Sequence, residues 1–248
     1  MMHYKSFRRI FTALIILLSF HNESAGINNP DKSFEKVFDL IYKQQFSDAS
    51  HELTQSKNRL DRWEYHILYL DLLWWEMISD NNANDYDRLE SALAKHTSDL
   101  RNSKNPDSLE ELITLSYSLR LAAIKKNSFF MMVNMYRINR IIERIDTNRL
   151  STEQQEIFKI YTALFNIGKS KLFFFNSKLK RESIKILESN ISSVNPVYQT
   201  ISCYFLSKVY LELDQSPAKA EIYCKQLCKI YPGNKIFIYN LEQCKGTG

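Results

Sequence analysis

All four cysteines of the chain, Cys203, Cys224, Cys228 and Cys244, lie between residue 203 and the C-terminus. Thiols gathered in this way could hold a metal, form a disulfide or pack as small apolar groups. Cys224 and Cys228 stand at i, i+4 on one helical face, but a structural zinc site needs four ligands, commonly completed by histidine. The five histidines stand at positions 3, 21, 51, 66 and 96, none near the cysteines, so no metal site is expected. Cys224 reads best as a core residue, because a free cysteine packs as a small apolar group. The sharper alternative is a disulfide, for example Cys228 to Cys244, tying the last helix to the unit before it. Four cysteines allow three full pairings, and sequence does not choose among them.

The histidines and carboxylates do not assemble into a catalytic pattern. His51 adjoins Glu52, and His66 follows Glu64 and Tyr65, but adjacent residues of a helix point in different directions. Neither G-x-G-x-x-G nor G-x-x-x-x-G-K-[ST] is present, and the chain has only five glycines. That is too few for a turn-rich β fold or a phosphate-cradling loop. No enzyme activity and no cofactor are expected.

The elements that would position any site begin after residue 26. Lys5, Arg8 and Arg9 precede an apolar run from Ile10 to Phe20, followed by Ser24 and Gly26 at signal-peptidase spacing. This reads as a cleavable leader over 1–26, too short in its apolar part to span a bilayer. The expected mature chain, 27–248, is exported, to the periplasm or beyond, with no stable membrane insertion. Its composition looks bacterial. The formal charge of +5 is mild, and both signs are interspersed, so nucleic acid is not an expected partner.

The mature part reads as a single all-α domain. Asn29–Pro30, Asn105–Pro106, Asn195–Pro196 and Ser216–Pro217 pair a capping residue with the imino acid best tolerated in the first helical turn. Ser151 and Gln154 form a capping box. Between these signals the apolar spacing is helical. Trp63, Ile67, Leu70, Trp74 and Met77 form one stripe, with a second face at Tyr65, Leu68, Leu72 and Trp75. Ile157, Ile160, Tyr161 and Leu164 form another, as do Phe129, Met132, Val133, Tyr136, Ile141 and Ile145. The predicted helices are 33–43 with 46–57, 61–79 with 83–96, 107–126 with 129–145, 153–175 with 179–190, and 197–213 with 217–230. A last helix, 235–244, caps the end. The expected architecture is a right-handed α-α superhelix of about five antiparallel pairs.

Residues 203–234 read as one helix–turn–helix unit. Leu206, Ser207 and Tyr210 lie on one side of its first helix, and Ala220, Cys224 and Leu227 on one side of its second. Pro232 ends it, with Gly233 available for the left-handed conformation of a helix stop. This unit resembles the tetratricopeptide repeat, with one extra residue in the turn and Leu227 where a small residue is usual. Tyr42, Phe46, Ala49 and Leu53 look like a weaker copy, and Ser183 and Leu187 like a fragment of a third. The resemblance implies a concave face, lined by the first helix of each pair, across which a peptide would lie. Tyr204 and Lys208 would face it and Tyr239 would extend it. A second candidate is the basic cluster Lys171, Lys178 and Arg181 beside Phe173, Phe174 and Phe175, suited to an acidic peptide or headgroup. The expected function is an exported helical-repeat adaptor that binds a protein or peptide on its concave face. The alternatives are a glycan or small-molecule binder of nutrient uptake, and an all-helical enzyme whose residues come from distant helices.

Overall fold

A computed structural model describes residues 32–80, 83–172 and 177–246. The leader 1–26, the Asn29–Pro30 start signal and Phe173–Phe175 lie outside the described residues. The described chain is all-helical. Its helices are α1 (Ser33–Tyr42), α2 (Phe46–Ser56), α3 (Arg62–Asp80), α4 (Ala83–Asn102), α5 (Ser108–Ile124) and α6 (Ser128–Arg144). They continue as α7 (Thr152–Leu172), α8 (Ser177–Ser189), α9 (Pro196–Lys208), α10 (Pro217–Ile230) and α11 (Lys235–Lys245). Within each pair the two helices pack on one another, and α11 packs on α10.

Two start signals act as the sequence reads, while Ser216 precedes Pro217 at the start of α10 without a side-chain cap. Asn195 accepts from Val197 N with Pro196 in the first turn. Ser151 and Gln154 bond reciprocally, at 3.0 and 3.2 Å. Asn105 and Pro106 are displaced by two residues: the cap of α5 is Asp107, which accepts from Leu109 N and Glu110 N. The largest difference in length is α4, expected to stop at 96 and ending at Asn102. Its last turns are polar except Leu100, which is buried two turns beyond Leu93 and extends the contact face with a single side chain.

The turns repeat. Gln44, Lys126 and Gln215 have positive φ, of 59°, 56° and 49°, and each sits two residues before the second helix of its pair. A left-handed residue at this point returns the chain antiparallel and satisfies the last carbonyls of the first helix. Gln45 N reaches Leu40 O and Asn127 N reaches Ala122 O, at 2.9 and 2.8 Å. Glycine usually fills this position because it has no Cβ penalty; here glutamine and lysine do, which explains how a chain so poor in glycine makes tight turns. Gly233 does not take the expected left-handed conformation, since no described glycine has positive φ. α9 ends in a π-helical turn, Val209–Leu213.

The odd-numbered helices turn their apolar faces to one interior. Tyr42 of α1 meets Trp75 of α3 at 4.8 Å between ring centroids and Phe237 of α11 at 6.2 Å. Trp75 also touches Tyr204 of α9 at 5.6 Å and Phe237 at 5.7 Å. Trp74 packs edge-on against Tyr117 of α5. The first and last helices are tied directly: Asn234 Nδ2 donates to Tyr42 O at 2.8 Å, and Lys235 N donates to Gln44 Oε1 at 3.1 Å. The order of pairs is the expected one, but aromatic rings fill the space between their first helices at this end of the chain.

Asn234 carries two tasks, since its Oδ1 also caps α11 at Ile236 N and Phe237 N. Asn234→Ala should lower stability by about 2–3 kcal/mol, through the lost cap and an orphaned buried carbonyl. Asn234→Asp keeps the cap but sets a buried carboxylate oxygen against the Tyr42 carbonyl oxygen, so its urea midpoint should also fall below that of the wild type.

Candidate functional site

The interior holds a polar cluster that the sequence reading missed. Asp71 is the lone charge between His66 and Glu76 of α3, and Arg120 the lone charge between Glu111 and Lys125 of α5. An isolated charge in an apolar helical stretch was the available signal. Tyr117 donates a short hydrogen bond to Asp71 Oδ1. The Arg120 guanidinium lies over the rings of Trp74 and Tyr117, at 4.6 and 4.4 Å, an arrangement worth most where water is excluded. Burial pushes the Asp71 carboxyl up to about 7, against the opposing pull of the Tyr117 hydrogen bond and Arg120. Burial likewise holds the phenols of Tyr42, Tyr117 and Tyr161 well above their usual value. Asp71 Oδ2, Tyr42 Oη, Tyr161 Oη and both indole N–H groups lack a hydrogen-bond partner among the described residues. Asp71, Tyr117 and Arg120 are all buried, so their protonation bears directly on folding stability.

His66 is also interior. Its Nε2 lies 2.9 Å from Thr114 Oγ1, and its ring meets that of His96 edge-on at 4.0 Å. Burial holds both imidazoles below their usual pKa, with His96 adding to the effect on His66. Among the described residues no group of three or more histidine, cysteine or acidic side chains is placed to hold a metal.

The residues expected on a concave binding face fall in two places. Tyr204 is 3% exposed, held among the rings of Trp75, Phe205 and Phe237. Lys208 is 13% exposed and forms a close ion pair with Glu212, one helical turn on. Burial alone would lower its pKa, but the Glu212 carboxylate outweighs this and raises it. Tyr204 is thus an interior residue and Lys208 a partly buried one, packed where the first helices of several pairs meet. Tyr239, on the outer side of α11, is 58% exposed. Lys178 and Arg181 are exposed on α8, Lys178 at 3.9 Å from Glu182. The Lys171 side chain lies outside the described residues. Cys228 is not the neighbour of Cys244; Cys224 is, with the sulfurs 3.8 Å apart and all four thiols free.

The exposed apolar surface lies instead on α6. The helix buries Met131, Asn134, Ile138 and Ile141. The stripe read from sequence lies mainly on its other side: Phe129 is 71% exposed, Met132 72% and Tyr136 66%, with Phe130 and Val133 beside them. Two apolar faces compete on this helix, and the one spaced at 131, 138 and 141 reaches the core. α4 and α6 flank α5 and leave a groove of about 650 Å³ over it, floored by Leu115 and Leu121 and walled by Leu93, Thr97, Phe130 and Asn134. Among its charged lining, Lys125 pairs with Glu90 and Arg137 with Glu111, while Arg101 has no acidic partner among the described residues. No described helix is long and apolar enough to cross a membrane.

No protein-family model, no curated protein and no solved structure matches the chain.

Proposed function

We propose that this chain is an exported helical-repeat scaffold, tetratricopeptide-like in its last unit, that binds a protein partner through the outer face of α6 and the groove beside it. The observation that carries this reading is the row Phe129, Phe130, Met132, Val133 and Tyr136 exposed together on one helix. An apolar patch of this kind beside a groove is where soluble proteins take a partner. The occupant is an amphipathic helix with acidic flanks. Its apolar anchors would enter between α4 and α6, a groove suited to a helix laid lengthwise. Its carboxylates would meet Arg101 on the groove wall, which would steer association and fix orientation. Phe130 joins the exposed row to the groove wall, and a groove with walls on both sides favours such a segment over a flat lipid surface.

A labelled synthetic peptide with leucine at helical spacing and glutamate on its flanks tests this. Binding near a Kd of about 10 μM is expected, weakened at least tenfold by Phe130→Glu and by Met132→Glu, and weakened by salt. Both side chains are exposed, so the variants should keep the wild-type Tm. Binding to vesicles of phosphatidylglycerol without binding to the peptide, or peptide binding indifferent to both substitutions, would overturn the proposal.

A further inference from the structure

We propose that Cys224 and Cys244 are a disulfide site that locks the last helix onto its neighbour and so fixes the closure of the chain. The two sulfurs are in van der Waals contact at 3.8 Å, on α10 and α11, which pack on one another. A bond needs the sulfurs at about 2 Å, so the two side chains, already in contact, would close by less than 2 Å. Both cysteines are buried. Cys244 has one further contact, donation to Asn240 O at 3.2 Å, which its loss as a thiol would release without orphaning a buried donor. Cys228, one turn from Cys224, is only partly buried and has no contact with Cys244 among the described residues. What the bond would hold matters to the whole fold: α11 carries Phe237 against Trp75 and begins at Asn234, which is tied to Tyr42.

The oxidant is a second disulfide, that of glutathione or of a donor protein. One protein thiolate attacks a sulfur of glutathione disulfide, whose S–S bond breaks and releases a glutathione thiolate. The other protein thiolate attacks the resulting mixed disulfide at the protein sulfur and releases the second glutathione. Two electrons pass from the protein to glutathione, and the two thiol protons end on the two departing thiolates. Burial raises the pKa of both thiols, that of Cys224 to about 12. The reactive thiolates are therefore available before α11 docks, and much less so afterwards.

The full chain is unfolded, refolded with reduced and oxidised glutathione, alkylated, and digested without reduction. A linked peptide joining Cys224 to Cys244, with Cys203 and Cys228 alkylated, is expected. The bridge should survive Cys228→Ser and disappear in Cys244→Ser, and reduction should lower the Tm by several degrees. Four alkylated cysteines, or Cys244 joined to Cys228, would overturn the proposal. Since the wild-type peptide map decides the pairing, the result does not depend on whether a variant folds or whether α6 binds a partner.

Discussion

Trp75→Ala should cost about 3–5 kcal/mol of folding stability, the usual range for deleting a fully buried aromatic. The reason is position as much as size. The ring is 0% exposed and touches Tyr42, Tyr204 and Phe237, so it joins α1 to α9 and α11. Its removal leaves a cavity lined by three rings that are themselves anchored by backbone bonds and cannot collapse freely. In a strictly linear array each helix pair contacts only its neighbours, and a core truncation loosens one unit and the next. Here amide exchange should accelerate in α1 and α11 together, although they lie at opposite ends of the sequence. Exchange confined to α3 and its sequence neighbours would contradict that picture.

The second large effect is a pH dependence set by Asp71. Its carboxyl titrates near 3.8 when unfolded and at about 7 when folded, so between those values the folded chain holds a proton that the unfolded chain has released. The stabilising contribution is complete below about pH 4 and is lost as pH rises through 7. At about 1.4 kcal/mol per pH unit, the loss is roughly 4 kcal/mol for this group. Glu76 and Glu110 are raised by burial as well and act in the same direction. His66 opposes them: its folded pKa is depressed, so its contribution is lost as pH falls below the unfolded imidazole value. Asp71→Asn removes the carboxyl titration and retains a side chain that can accept from Tyr117. The wild type should lose stability between about pH 4 and pH 7, and the asparagine variant should lose far less over the same range. Parallel urea midpoints for the two proteins across that range would place the titration elsewhere.

Much of the fold was legible because periodicity and caps act locally. The stripe from Trp63 to Met77 and the capping box at Ser151 fix where helices run without reference to the rest of the chain. The match of Ala220, Cys224 and Leu227 to a buried face held for the same reason. The closure was not legible. It depends on Asn234 meeting Tyr42 across 192 residues, and nothing local distinguishes a ring that lines an open channel from one that fills it. Tyr204 and Lys208 were misplaced on that account. On α6 the difficulty was different: Phe129, Met132 and Val133 have the spacing of a core stripe, and only the packing of Met131 and Ile138 against α5 shows which side is left to solvent. The neighbour of Cys244 fell between the two, since Cys224 and Cys228 share a helix one turn apart and only the packing of α11 brings Cys224 to it.

The convergence of the first and last helices is the central claim, and a double-mutant cycle on Tyr42 and Phe237 tests it most directly. Tyr42→Leu, Phe237→Leu and the double variant are compared with the wild type by urea denaturation. Rings 6.2 Å apart should show a coupling of about 0.5–1.5 kcal/mol. Additivity to within about 0.3 kcal/mol would mean that the two ends do not touch and that the interior stands open.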